Sequence, residues 1–439
     1  ADMRQRDNLA RTAALHVLDS WEGHKKPIDD LLSSLDASLS DDRDRRFARQ
    51  LVLGTLRWRL RLDWIIGHFS QRPADELETR VLNILRMGIL QIDFLDRVPE
   101  RAAIHTSVEL AKRQGARSAS GLINAVLRSF QRDPHSVQFP DPDADTTRYL
   151  SLHYSHPSWL VERWIQQWGV EKTQGILASN NEHAPLWLRL NPLRSTPSAL
   201  CATLLLENGP DDYFRALEPR QALRSPGFEK GHFQIQDPNA GLAVALLDPQ
   251  PEEHILDACS APGGKTTQIA ERMHDKGFIV AADLSHTRLR RLRENTRRLA
   301  LHSIHPVAWD GSITGSQLFD RVLVDAPCSG TGILGRHPDA RWNRTPEQFP
   351  ALIERQQSIL VAAFTQLRPG GTLVYSTCSL EQIENERVVE NFIAHTPTAR
   401  LEDAHRILPN DARVGRYVQT VPGQHLGDGA FAARIHKVG

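Results

Sequence analysis

Apolar positions recur at spacings of three and four through the first third of the chain, and that rhythm predicts helices. Phe47, Leu51, Thr55, Trp58, Leu62, Ile65 and Phe69 form one stripe. Val81, Ile84, Leu85, Gly88, Ile89 and Ile92 form a second, and Leu122, Ile123, Val126, Leu127 and Phe130 a third. Stripes of this kind must be buried against one another, so a helical bundle over residues 4–133 is expected. Prolines and aspartates break the pattern over 134–147, which reads as a linker. Residues 148–235 then read as a small α+β module, with helices over Trp159–Trp168 and Ser198–Glu207 and a strand over Leu186–Leu190.

The rhythm changes again in the segment 236–439. From Glu253 onward, HILDACS, FIVAADLS, HPVAWD, FDRVLVDAP and TLVYSTCS are short apolar runs that end in polar or acidic residues. Between them lie helical segments such as TTQIAERM, RLRRLRENTRRLA and ERQQSILVAAFTQL. Strands alternating with helices predict a mainly parallel, doubly wound α/β sheet of Rossmann-like type. Ligands of such sheets bind beyond the carboxyl ends of the strands, which makes those ends the positions to read for chemistry.

Composition narrows the class. Hydrophobic residues make up 40% and charged residues 24% of the 439, the balance of a globular chain. No run of eighteen apolar residues and no charged-then-apolar opening is present, so neither a membrane nor secretion is expected. Cys201, Cys259, Cys328 and Cys378 show no CxxC spacing, so neither a metal site nor a disulfide framework is expected. These thiols suit the cytoplasm. The formal net charge is zero, but basic residues cluster. Arg43, Arg45, Arg46, Arg49, Arg57, Arg59 and Arg61 share their stretch with one acid, Asp44, and six arginines lie between His286 and Arg298. Both runs suit a solvated helix face, and both suit phosphate contacts; charge alone does not choose.

The turn after the first strand of the last segment reads Cys259-Ser260-Ala261-Pro262-Gly263-Gly264-Lys265-Thr266. Adjacent glycines let a backbone approach a ligand closely, and the following helix offers unpaired N–H groups. A phosphate-binding P-loop would need glycine at 259, where this chain has Cys259. Asp283 closes the next strand, at the spacing where an acid accepts from ribose hydroxyls, and Asp310 closes the third and is placed to reach an adenine amino group. Such a pocket suits S-adenosylmethionine or a nicotinamide dinucleotide, and the absence of G-x-G-x-x-G disfavours the latter. At the reacting end, one strand runs into Asp325-Ala326-Pro327-Cys328-Ser329-Gly330-Thr331-Gly332 and the next into Ser376-Thr377-Cys378-Ser379. Two cysteines at neighbouring strand ends beside an aspartate point to chemistry rather than to inert buried thiols.

The strings DACSAPGGKT, DAPCSGTG and STCS resemble the motifs of RNA cytosine-5 methyltransferases of the Nol1/Nop2/Sun family, in the same order over the C-terminal half. The chain also resembles the bacterial ribosomal branch of that family, whose members carry an N-terminal helical RNA-binding domain similar to the antitermination factor NusB. Gly335-Arg336-His337-Pro338-Asp339 matches a further motif of that branch. The resemblance implies methyl transfer from S-adenosylmethionine, leaving S-adenosylhomocysteine, to a cytosine of small-subunit ribosomal RNA, of the cytosine-967 type. It implies Cys378 as nucleophile, Cys328 as the residue that assists release, and Asp325 as a hydrogen-bonding or proton-donating group at ring N3. Cysteine addition at carbon 6 makes carbon 5 nucleophilic enough to accept the methyl group. The cofactor set is then Cys259, Ser260, Ala261, Pro262, Gly263, Gly264, Lys265, Asp283, Asp310 and Asp325. Arg336, His337, Arg341, Arg43, Arg46 and Arg57 are the expected RNA contacts, on RNA free or in an assembling subunit, and the protein is expected to be a monomer.

Two positions depart from the family pattern: Ser260 stands for alanine in the glycine turn, and the C-terminal DGFF-like segment reads Asp428-Gly429-Ala430-Phe431. A transfer-RNA target and a non-catalytic RNA-binding assembly factor are the competing readings. The second requires loss of Cys378, Asp325 or the glycine turn, and all are present.

Overall fold

The computed structural model describes residues 3–24, 28–309 and 319–439. It divides into two compact units, one of residues 1–181 with 334–344 and one of 182–333 with 345–439. Among the described residues no helix is long and apolar enough to cross a membrane.

The first unit is helical. Its long helix Asp42–Ser70 buries Leu51, Thr55, Leu62 and Ile65 of the first stripe, while Phe47, Trp58 and Phe69 lie half-buried at the edge of the core. Helices Thr79–Phe94 and Ser120–Arg132 bury the other two stripes against it. Asp41 caps the long helix by accepting from Arg43 N. The expected linker is not free: His68 Nε2 lies 3.2 Å from Ser136 Oγ, and Trp64 Nε1 donates to the Gln138 carbonyl. Helices Thr146–Tyr154, Ser158–Trp168 and Val170–Ser179 also belong to this unit. The division into two compact units falls after Asn181.

The second unit opens with an antiparallel sheet of β1 (Leu186–Leu190), β2 (Leu206–Asn208), β3 (Tyr213–Ala216) and β4 (Phe233–Ile235), in the order β2-β3-β1-β4. The expected helix Ser198–Glu207 stops at Thr203, because Leu206–Asn208 pairs with β3 instead. Alternation sends Leu188 and Leu190 into this module's own core. Arg189 points the other way, where its guanidinium donates to Glu271, Thr267 Oγ1 and the Gly264 carbonyl at 2.9–3.1 Å. The small sheet is thereby fastened to the helix Gly264–Arg272, which carries the glycine turn at its start.

The large sheet contains β5 (His254–Asp257), β6 (Phe278–Asp283), β7 (Ile304–Ala308), β8 (Phe319–Asp325), β9 (Leu367–Thr377), β10 (Ala399–Glu402), β11 (Val418–Thr420) and β12 (Ala430–Lys437). Its order is β10-β12-β9-β8-β5-β6-β7, with β11 paired to β12. Strands β5 to β9 are parallel and β12 runs antiparallel to β9, so the sheet is mixed. The order reverses between β5 and β8, and the crevice of such a sheet opens there. Apolar layers cover both faces, one around Ile255, Ile279 and Leu323 and one around Leu256, Val322 and Tyr375.

Candidate active site

The glycine turn follows β5. Gly263 is left-handed, with φ +107°, and a side chain there would meet Leu292 Cδ1 at 2.4 Å, so only glycine fits. The Ala261–Pro262 bond is cis. The Ser260 hydroxyl donates to the Ala282 carbonyl at 3.1 Å, so this departure from the family pattern is spent inside the fold. Asp283 is buried at the end of β6 and accepts from Ala261 N, Ser285 N and Arg288 Nη2. Three of a carboxylate's roughly four acceptor sites are thus filled, and one remains. Asp310 lies outside the described residues.

Beneath the turn, Asp257 is 1% exposed and accepts from Thr266 Oγ1 at 2.7 Å. Burial raises its carboxyl to about 7. Cys259 is raised to about 12, first by burial and then by Asp257, Asp325 and Asp283, so this third thiol of the site stays neutral. Neither effect was legible in the sequence, although Asp257, like Asp283, is an acid closing a strand.

Lys265 reaches from the glycine turn to the end of β8, where Nζ donates to Asp325 Oδ2 at 2.7 Å; Ser376 Oγ donates to Oδ1 at 2.9 Å. Burial lowers the Lys265 ammonium's pKa, but Asp325 and the nearby Cys378 outweigh it, and the net shift is upward. Asp325 was expected as a hydrogen-bonding or proton-donating group at ring N3. In the structure both of its oxygens accept, one from Lys265 and one from Ser376.

Strands β8 and β9 run parallel with Asp325 opposite Ser376, and each strand passes directly into its cysteine loop. Cys328 Sγ and Cys378 Sγ come within 3.5 Å. The Cys328 thiol is held far above its ordinary range by its hydrogen bond to Cys378 and by burial, with Glu384 adding to both. Cys328 is thus hard to ionise, and its sulfur lies within hydrogen-bonding distance of Cys378, where either thiol can donate.

The loops are locked at several points. Gly332 N donates to the Cys378 carbonyl at 2.8 Å, and Gly429 N donates to the Gly332 carbonyl at the same distance. A Cβ on Gly332 would lie 2.6 Å from the Cys378 oxygen. Buried Glu384 accepts from both Ser329 and Ser379, the residues that follow the two cysteines. Nothing in the periodicity of the chain had marked it. Beside Cys378 a cavity of about 40 Å³ is lined by Lys265, Ile333, Gly429, Ala430 and Phe431. Phe431 packs edge-on to Tyr375, while Ala430 itself adds no ring to the cavity wall.

The expected RNA contacts separate into two groups. Arg43 and Arg46 are exposed and line a groove of about 720 Å³ in the helical unit together with Arg11, Arg97 and Phe47. Arg45, Arg49 and Arg59 are ion-paired to Asp42, Asp36 and Glu22, and Arg61 donates to the His153 carbonyl. Arg57 donates to the Gly335 carbonyl, and burial lowers its pKa. Arg341 is 1% exposed, its guanidinium donating to the carbonyls of Arg57, Ser155 and Asn180 and to Asn181 Oδ1. Arg341 is thus an internal tie, and Arg57 is engaged within the same unit. Together with Trp342, which donates to the Leu56 carbonyl, they hold the segment 334–344 in the helical unit. Of the motif before them, Arg336 is half-buried, and His337 lies 3.9 Å from Asp29.

Comparison with known proteins decides the family. A protein of Synechocystis described as probable ribosomal RNA small subunit methyltransferase B is 36% identical over 90% of this chain and 91% of its own length. Ribosomal RNA small subunit methyltransferase B of Escherichia coli is 35% identical over 99% of this chain and 100% of its own. The chain belongs to the ribosomal RNA small subunit methyltransferase B family. It is a methyltransferase, and its parts match family models accordingly. Residues 8–132 match the NusB family, 156–209 the ferredoxin-like domain of RsmF/B-like methyltransferases, and 244–436 the 16S rRNA methyltransferase RsmB/F model. The crystal structure of PH0851 covers the whole of both chains with a TM-score of 0.80 at 22% identity, a likeness of fold. Family membership gives the paired cysteines and the glycine turn a common context.

Proposed function

We propose that this chain transfers a methyl group from S-adenosylmethionine to carbon 5 of a cytosine in small-subunit ribosomal RNA. The observation that carries the reading is the 3.5 Å approach of two thiols next to the Lys265–Asp325 pair, at the switch point of the sheet. The residues present fit the cofactor. Asp283 retains acceptor capacity for a ribose hydroxyl, and the left-handed glycine turn opens a helix N-terminus beside it. When bound, S-adenosylmethionine supplies an electrophilic methyl group.

The chain's own residues account for the rest. The Cys378 thiol gives up its proton to solvent, its sulfur forms a bond to carbon 6 of the ring, and the displaced electron pair moves towards carbon 5. Lys265, oriented by Asp325, supplies the hydrogen bond or proton that draws electrons towards ring N3. Carbon 5 takes the methyl group, a base removes the carbon 5 proton, and the electron pair rebuilds the ring double bond as the carbon–sulfur bond breaks. The pair left on Cys378 is met by the Cys328 S–H, whose sulfur lies 3.5 Å away. The target base must leave its stack to reach the loops, at a cost of a few kcal/mol, least for a loop nucleotide. The groove bearing Arg43 and Arg46 supplies phosphate contacts in the helical unit.

Bisulfite sequencing of ribosomal RNA from a strain lacking this gene tests the reading. One small-subunit 5-methylcytosine should vanish and return when the gene is restored. An unchanged small-subunit map would refute the assignment, and a lost transfer-RNA site would redirect it.

A further inference from the structure

Beyond the strand ends, no regular ladder holds the two cysteine loops together. A small set of hydrogen bonds does so, and one side chain touches both. Glu384 is 0% exposed. Its Oε1 accepts from Ser329 N at 2.9 Å and from Gln356 Nε2 at 3.0 Å. Its Oε2 accepts from the hydroxyls of Ser329 and Ser379, both at 2.5 Å. Ser329 follows Cys328 and Ser379 follows Cys378. Gln356 extends the tie, because the same Nε2 donates to the Pro327 carbonyl at 2.9 Å. The Glu384 carbonyl is itself fixed by the Tyr375 hydroxyl at 2.6 Å, within β9.

A buried carboxylate is costly unless its oxygens are hydrogen-bonded, and here four donors converge on it. The donor set also explains why the residue is an acid. A glutamate presents acceptors only, whereas a glutamine would turn an N–H₂ either on the Ser329 N–H or on the two hydroxyls. The first arrangement sets donor against donor. The second requires both serines to reverse, which releases the grip on the loops. The negative charge also helps keep Cys328 protonated.

We propose that Glu384 is the positioning residue of the cysteine pair, a single buried carboxylate that sets the distance between Cys328 and Cys378 by holding the residue after each. Its consequence for turnover rests on the function proposed above; its effect on thiol geometry does not. The test therefore begins without RNA or cofactor. Diamide takes two electrons and two protons from a pair of adjacent thiols, which close to a disulfide, and mass spectrometry of the bridged peptide follows Cys328–Cys378. Glu384→Gln should close at least about tenfold more slowly than wild type, as sub-ångström loss of alignment commonly costs. In single-turnover methylation the rate constant should fall by a similar factor while cofactor Kd stays within about twofold.

Ser329→Ala with Ser379→Ala removes the hydroxyl donors and keeps the acid. It should slow closure in the same direction, and it serves if Glu384→Gln does not fold. Closure at the wild-type rate in either folded variant would overturn the proposal. So would slow closure with an unchanged methylation rate constant. A wild-type protein that closes its disulfide quickly but methylates no RNA would instead count against the proposed function alone.

Discussion

Cys328 Sγ and Cys378 Sγ stand 3.5 Å apart although fifty residues separate them in the chain. They meet because β8 and β9 are parallel neighbours and both loops leave the sheet at its carboxyl edge. The two thiols are not equivalent. The contact with Cys378 and burial push the Cys328 thiol well up, and Cys378 helps to raise the Lys265 ammonium. That asymmetry matches one attacking sulfur and one assisting sulfur.

The loops leave no room at Gly332. Its N–H serves the Cys378 carbonyl, and a methyl group there would collide with that oxygen and with the Gly429 backbone. Gly332→Ala should lower the methylation rate constant by about a hundredfold, as expected for a nucleophile displaced by about 1 Å. Cofactor affinity, measured by calorimetry, should remain near the wild-type value. An unaffected rate would mean that the Cys378 position is not set here.

The arginines of the helical unit divide by burial, and their substitutions should divide likewise. Arg43→Glu with Arg46→Glu should weaken RNA binding at least about tenfold and flatten its salt dependence, with little change in Tm. Arg341→Ala removes a buried guanidinium and strands four carbonyl or amide oxygens, a loss of about 3–5 kcal/mol in a buried polar tie. Tm should fall, and limited proteolysis should cut near residues 334–344. Filter binding and thermal melts on the two variants separate the effects.

Much of this was legible in the chain and some was not, for a physical reason. Periodicity exposed Leu51, Leu62 and Ile65 because burial on one face of a helix repeats every turn. The strand ends exposed Asp283, Asp325, Cys328 and Cys378 because a doubly wound sheet gathers its chemistry there. Charge runs were poorer guides. Arg43 to Arg61 reads as one basic stripe, yet a helix turns five of the seven arginines towards neighbouring elements. Arg341 and Glu384 carry no periodic signal, since Arg341's partners and the Ser329 that Glu384 holds lie far away in sequence and only the tertiary fold brings them together.

Asp257 gives the protein a pH signature. Its folded carboxyl sits near about 7, above the ordinary 3.8, so between these values the folded state binds a proton that the unfolded state has released. Stability from this group is complete at low pH and is lost as pH rises towards about 7. Asp257→Asn should flatten that decline, so that its Tm relative to wild type improves steadily across this window. A constant difference would show that Asp257 is already ionised in the folded protein.

The central claim is that Cys378 attacks and Cys328 releases, and trapping of the protein–RNA adduct tests it most directly. With S-adenosylmethionine and small-subunit RNA, Cys328→Ala should accumulate a complex that survives a denaturing gel. Cys378→Ala should give neither adduct nor methylation. An adduct with Cys378→Ala and none with Cys328→Ala would contradict the account.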